Sequence, residues 1–202
     1  MLTARDALDR LREGNARFVS RLSEPAAVEL RRTQLPDIQE PFAIVLGCSD
    51  ARVPAEIVFD QGLGDLFVIR VAGNIVAPSQ VGSVEFAAER FGTRLVVVLG
   101  HSGCGAILAT IEELKRPGGT QSRNLRSIVD RVRPSVQGLM ATELAKDHEA
   151  LVDAAVRANI RTSVDHLRHG SEVLEQLIND DGLIVVGAEY SLASGVVEFF
   201  ET

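Results

Sequence analysis

The residues best able to do chemistry fall in two short segments. Gly47-Cys48-Ser49-Asp50-Ala51-Arg52 holds one of the 2 cysteines of this 202-residue chain. Gly100-His101-Ser102-Gly103-Cys104-Gly105 holds the other, three residues after a histidine. Two thiolates and an imidazole form a known catalytic zinc set, which leaves the fourth tetrahedral position for water or a competing ligand. Asp50 is that competing ligand or its regulator. Plainer readings exist for each residue alone. A cysteine at a strand end is often a small buried hydrophobe, and a histidine among glycines is often a hydrogen-bonded structural group. Asp50 with Arg52 could be a surface ion pair of little worth. The glycines could simply permit tight turns, and their spacing does not match G-x-G-x-x-G, which argues against a nicotinamide site. The metal reading gains because Cys48, Asp50, Arg52, His101 and Cys104 all lie where one topology would bring them together.

That topology is a strand and helix alternation. Phe42–Leu46 is a continuous apolar run between Pro41 and Gly47, as expected of a strand buried on both faces. Leu66–Val71 and Leu95–Leu99 read the same way. Between these strands lie a short helix over Pro54–Phe59, with proline in its first turn, and a helix over Val81–Phe91 with an apolar stripe. The alternation implies right-handed crossovers and a parallel sheet. Further helices are expected over Ala106–Leu114, stopped at Arg116-Pro117-Gly118-Gly119, and over Arg123–Val132, ended by Pro134. A long helix over Glu143–Arg168 is broken at Gly170 and resumes through Ile178. A fourth strand, Leu183–Val186, pairs with an edge strand over Val196–Phe200. The fold class is therefore α/β, a mainly parallel four-stranded sheet with an additional edge strand. An N-terminal helical arm over residues 1–38 precedes it, with one helix starting near Thr3 and a more polar one over Ser23–Arg32. The arm has too little apolar surface to fold alone and is expected to pack on a partner subunit. In such a sheet, ligand groups converge at the carboxyl ends of strands where the strand order reverses. If the first and third strands are neighbours there, Cys48, His101 and Cys104 meet.

Composition limits what else the chain could be. Its length suits one domain, which can bury about 70% of its unfolded surface. With 46% hydrophobic and 24% charged residues it is an ordinary globular chain. The formal charge of −7, the absence of tryptophan and an aromatic share of 4% give no footing for nucleic acid or an anionic membrane as partner. The first residues are charged where a secretory segment would be apolar, and no apolar run approaches the ~20 residues of a membrane span. A cytoplasmic location is expected, where cysteines serve as ligands or nucleophiles more often than as disulfides. His148, His166 and His169 lie on polar helical stretches and are expected in solvent.

Cys48-Ser49-Asp50-Ala51-Arg52 followed about fifty residues later by His101-Ser102-Gly103-Cys104-Gly105 resembles the zinc signature of the beta-class carbonic anhydrases. The similarity spans nearly the whole chain. Leu11–Phe18 resembles the family's N-terminal helix, and Phe59–Phe67 and Arg70–Asn74 resemble its segments around the second strand. Tyr190 and Gly195–Val197 resemble its closing hairpin.

The resemblance implies zinc on Cys48, His101 and Cys104, with water or Asp50 in the fourth position, and reversible hydration of carbon dioxide to bicarbonate by attack of zinc-bound hydroxide. Two thiolates cancel the metal's charge, so that water should be less acidic than one held by three neutral histidines. Arg52, a rigid fork, would hold the Asp50 carboxylate off the metal, and a pH-dependent exchange of Asp50 for water is expected. The resemblance also places Gln61, Phe67, Ala72 and Phe86 around the substrate, with the Gly105 N–H as a further donor, in a pocket shared across a dimer. Phe86 lacks the hydroxyl of relatives with tyrosine there, and Ala72 is smaller than the valine of plant-type members. One bacterial branch binds regulatory bicarbonate beside a tryptophan on the first strand; Val45 stands at that position here, so that regulation is not expected. A homodimer or homotetramer is implied. Competing readings are hydrolysis of carbonyl sulfide or carbon disulfide at the same zinc site, and a non-catalytic zinc-binding or redox-sensing protein. A soft sulfur and nitrogen site could also accept cobalt or iron.

Overall fold

A computed structural model of the chain describes residues 2–21, 39–116 and 122–200. In chain order the elements are α1 (Ala4–Arg21), β1 (Ala43–Gly47), α2 (Ala55–Val58), β2 (Leu66–Arg70), α3 (Pro78–Arg90), β3 (Leu95–His101), α4 (Gly105–Lys115), α5 (Arg123–Gln137), α6 (His148–His169), α7 (Glu172–Asp180), β4 (Ile184–Tyr190) and β5 (Val197–Phe199). A 3₁₀ turn over Ala72–Asn74 lies between β2 and α3, and two more, Leu139–Ala141 and Glu143–Lys146, lie between α5 and α6.

One five-stranded sheet has the order β2-β1-β3-β4-β5. β1 pairs in parallel with β2 and β3, β3 pairs in parallel with β4, and β5 runs antiparallel to β4 at the edge. This is the α/β architecture read from the sequence. The strand order reverses between β1 and β3, where Gly47 stands opposite Leu99. Alternate residues of the inner strands feed two cores. Ile44, Leu46, Val96 and Val98 face the layer containing α3 to α7. Ala43, Val45, Leu95, Val97 and Leu99 face α1 and α2.

Several expected boundaries move, each for a physical reason. β3 runs on through Gly100 and His101 because these pair with Glu189 and Tyr190 of a longer β4, so His101 is a strand residue rather than a loop residue. α3 begins at Pro78 because proline suits the first helical position. α5 continues through Pro134, where the sequence suggests an end. Val132, Ser135 and Val136 are buried there, and Ser135 Oγ donates to Thr162 Oγ1 of α6 at 3.0 Å, so packing overrides the lost helical hydrogen bond. The long helix starts at His148 instead of Glu143 because Asp147 caps it, accepting from the N–H groups of Glu149 and Ala150. α7 extends to Asp180, two residues beyond the expected end. His148, His166 and His169 are exposed, as expected.

Helix α1 seats part of its apolar stripe on its own chain. Ala4, Ala7 and Leu11 are buried against this chain's own sheet and α2, and full burial of Leu11 contributes about 1.5–3 kcal/mol. Asn15, also buried, donates to Val58 O and Gly195 O and accepts from Val197 N–H, tying α1 to α2 and to the β4–β5 hairpin. The helix expected over Ser23–Arg32, and most of the stop expected at residues 116–119, lie outside the described residues.

Gly14 marks the tightest contact of α1. A Cβ there would lie 1.8 Å from Phe59 O and 2.7 Å from Gln61 Nε2. Helix propensity alone favours Gly14→Ala by about 1 kcal/mol. A clash with a backbone oxygen cannot be relieved by a rotamer change, and overpacking costs about 1–3 kcal/mol or more. Gly14→Ala is therefore expected to lower the urea midpoint; a raised midpoint would show that α1 does not seat on residues 58–61 as described.

Candidate metal centre

Two strand ends and one tight turn build the site. β1 delivers Cys48 one residue beyond its end, and β3 delivers His101 as its last residue. Cys104 is the N-cap of α4. The ligand atoms of these three side chains all lie within 4.8 Å of one another, and all three residues are buried. Zinc bonds of about 2.0–2.3 Å to nitrogen and sulfur require donors at about this separation. His101 Nδ1 lies 3.0 Å from the Ser102 carbonyl, which accepts its N–H. Nε2 is thereby left as a bare acceptor, and it is one of two buried side-chain polar atoms among the described residues without a hydrogen-bond partner. A buried imidazole nitrogen with no partner, aimed at two thiols, fits a metal ligand whose other nitrogen is oriented by a carbonyl.

Asp50 lies beside this triad and is held away from it. Its Oδ2 is 3.8 Å from His101 Nε2. Arg52 grips both carboxylate oxygens, Nε to Oδ1 at 2.9 Å and Nη2 to Oδ2 at 2.7 Å, and its backbone N–H adds a third bond to Oδ1.

The surroundings of the triad are built from residues the sequence reading did not single out for the purpose. Arg70, at the end of β2, donates to the carbonyls of Cys48 and Asp50 and so brackets the loop from outside. The Gly73 N–H donates to Cys48 Sγ at 3.4 Å. Gly73 adopts a φ of 71°, and a Cβ there would lie 2.9 Å from the Ala106 Cβ, so glycine is required on both counts. From α6, Asn159 donates to Gly73 O and Ser163 to Asn74 O, holding the turn that aims this N–H. The local signal for it was the Ala72-Gly73-Asn74 stretch; its partners on α6 lie 86 and 89 positions away.

The electrostatics follow from this geometry. The Cys48 thiol is pushed down, first by a hydrogen bond from Cys104 and also by His101 and the Gly73 N–H, all against the opposing effect of burial. Cys104, the donor in that pair, is pushed up. Burial opposes charge on His101, but the charge of Cys48, the Ser102 carbonyl at Nδ1 and the charge of Asp50 outweigh it, so its net direction is upward. A dication among the three would invert this order, favouring two thiolates and a neutral imidazole. The Arg52 hydrogen bonds hold the Asp50 carboxyl far below the usual carboxylate range.

The other expected site residues are placed differently. Gly105 is exposed as the first residue of α4, next to Cys104, and Ala72 neighbours Gly73. Phe67 pairs in register with Ile44, three residues back from Gly47, which is about 10 Å along the strand from the metal end. It packs with Phe86 and Phe91 at centroid distances of 6.2 and 6.1 Å, and Phe86 is 52% exposed. Gln61 is half-buried in the turn between α2 and β2, its amide donating to Phe59 O. One subunit therefore assembles the triad, Asp50 and Arg52, with Phe67 set back along β2, Phe86 on α3 and Gln61 in the turn before β2. Val45 is fully buried in the core against α1 and α2.

A family model described as carbonic anhydrase matches residues 43–197. The chain is 40% identical over 189 residues to a carbonic anhydrase of Mycolicibacterium smegmatis, covering 93% of this chain and 89% of that protein. It is 39% identical to carbonic anhydrase 2 of Mycobacterium tuberculosis, covering 92% and 87%. Among solved structures, the beta-carbonic anhydrase CcaA superposes with a TM-score of 0.73 at 25% identity, covering 97% of this chain and 85% of that one. A tetrameric beta-carbonic anhydrase of Sordaria macrospora gives the same TM-score at 24% identity, covering 82% and 83%, a likeness of fold alone.

Two measurements check the supports of the site. Arg70→Ala removes both donors to the Cys48–Asp50 loop and is expected to weaken zinc binding about 10–100-fold in chelator competition; unchanged affinity would show that the loop holds its shape without Arg70. Because the folded pKa of Asp50 is depressed, its stabilisation is present above about pH 4 and is lost as pH falls toward the folded value. Arg52→Gln is expected to move the Asp50 carboxyl back up toward the ordinary range in a ¹³C NMR titration; no upward movement would disprove the grip.

Proposed function

The chain belongs to the beta-class carbonic anhydrases and is a carbonic anhydrase, and we propose from that premise that zinc on Cys48, His101 and Cys104 carries the reaction, with Asp50 and Arg52 governing the fourth position. The observation that carries this reading is the unpartnered His101 Nε2 aimed at two buried thiols, with an Arg52-held carboxylate 3.8 Å away. Zinc there supplies a Lewis acid that makes water nucleophilic near neutral pH.

The chain's own residues do the rest. Ser102 O fixes the His101 tautomer, and the Gly73 N–H stabilises charge on Cys48. Asp50, ionised throughout the neutral range, accepts a hydrogen bond from the attacking water and orients it. Arg52 keeps the carboxylate in that role by occupying both of its oxygens. Asp50 is already charged at neutral pH, so with a metal on the triad its carboxylate would be contested by two cations, guanidinium and metal, without awaiting its own protonation or deprotonation.

Gln61, Phe67, Ala72 and Phe86 form the substrate pocket, completed between subunits of a homodimer that can pair into a tetramer. Supporting this, Phe67, Phe86 and Phe91 form an aromatic cluster in which Phe86 of α3 is half-exposed. Apolar walls suit carbon dioxide, which is neutral and without a dipole. No helix among the described residues is long and apolar enough to cross a membrane, and a cytoplasmic site of action is part of the proposal.

Stopped-flow carbon dioxide hydration beside measured zinc content tests the reading. One zinc per chain with hydration at pH 8 and above, both lost in Cys48→Ser, is expected; full zinc without hydration would make the centre structural. Phe86→Asp is expected to lower activity and shift light scattering toward monomer, and an active monomer would refute the shared pocket.

A further inference from the structure

We propose that Arg10 on α1 is a positioning residue for Gln61, fixing the direction in which its amide meets the substrate. The inference rests on the reading that Gln61 belongs to the substrate pocket. Arg10 Nε donates to Gln61 Oε1 at 3.1 Å, and Gln61 Nε2 donates to Phe59 O at 2.6 Å. Guanidinium only donates, so the amide oxygen must face Arg10 and the nitrogen must face Phe59. One anchor would leave the amide a pivot; two anchors at opposite ends leave a single orientation. The amide nitrogen carries two hydrogens and Phe59 O takes one, so the second is free to donate to an oxygen of carbon dioxide or bicarbonate.

Arg10 is itself immobilised. Its Nη2 donates to Asp65 Oδ1 at 2.8 Å, and its guanidinium lies 4.0 Å from the centre of the Phe42 ring. The other Asp65 oxygen accepts from Gly62 N–H, so the same carboxylate closes the turn that follows Gln61. A lysine would meet these partners through one freely rotating nitrogen, without the planar fork that fixes both directions. The N-terminal helix thus reaches the chemistry through one side chain, independently of its contribution to folding.

A double-mutant cycle on zinc-loaded enzyme decides it, read as kcat/KM for carbon dioxide hydration. Gln61→Ala is expected to lower kcat/KM about tenfold, the worth of one hydrogen bond. Arg10→Leu should reproduce most of that loss, and the double variant should be no slower than Gln61→Ala. Arg17→Leu removes a different clamp from α1, that on Asp60, and should leave kcat/KM unchanged. Arg10→Lys serves where Arg10→Leu does not fold, with a loss in the same direction. In metal-free protein the Gln61 side-chain amide resonances should shift in the Arg10 variants and stay in place in Arg17→Leu. Losses that multiply, full activity in both Arg10 variants, unmoved amide resonances, or an equal loss in Arg17→Leu would each overturn the role of Arg10 while leaving that of Gln61 intact. No loss in Gln61→Ala would overturn the pocket assignment and this inference with it.

Discussion

Parallel pairing of β1 with β3 is the constraint from which the rest follows. The two strands meet where the sheet order reverses, Gly47 opposite Leu99, and their carboxyl ends leave the sheet together. One residue beyond β1 is Cys48; the last residue of β3 is His101, and the turn into α4 returns Cys104 to the same point. Residues 53 and 56 positions apart in sequence thereby converge to within 4.8 Å. The hydrophobic alternation that makes these strands the centre of two cores also specifies their register, so core packing and ligand placement are one requirement. A slip of one residue would invert both.

Around that fixed point the groups differ in how they are held. Cys48 is held by its position after β1, by Arg70 at its carbonyl and by Gly73 at its sulfur. His101 is held by strand pairing with Tyr190 and by Ser102 O. Asp50 is held instead by an exposed arginine, through hydrogen bonds that a stronger cation could displace. Burial explains the difference. The triad is buried, whereas the Arg52 side chain is 62% exposed, where a competing solvent keeps an ion pair exchangeable.

Helix α1 joins this design from the opposite face of the sheet. Its apolar stripe is spent on its own chain, and its polar side grips the segment between α2 and β2. Arg17 and Arg21 share Asp60, Arg10 takes Gln61 and Asp65, and Asn15 takes Val58 O. That segment carries no metal ligand, so its ordering serves either folding alone or a pocket presented outward. The exposed Phe86 beside Phe67 and Phe91 points the same way.

The sequence by itself singled out the cysteines and histidine that could hold a metal, the α/β class and the presence of a parallel sheet, because each is written in local pattern. Short, β-branched apolar runs bounded by glycine or proline read as buried strands, and a chain with 2 cysteines has little freedom in which thiols to assign. Local pattern failed at Pro134, at the ends of β3 and at residues 143–147, where burial, strand pairing and a cap outweighed propensity. That Ala4, Ala7 and Leu11 of α1 seat on the β1 and β3 face of their own chain was not legible from local pattern. Only the tertiary structure decided that His101 is a strand residue, that Arg52 grips both Asp50 oxygens, that Arg70, Gly73 and Asn159 support the centre, and that Phe67 and Phe86 pack with Phe91. Those facts depend on which distant backbone lies within about 3 Å of a given donor, a quantity set by how elements stack and not by the order in which they occur.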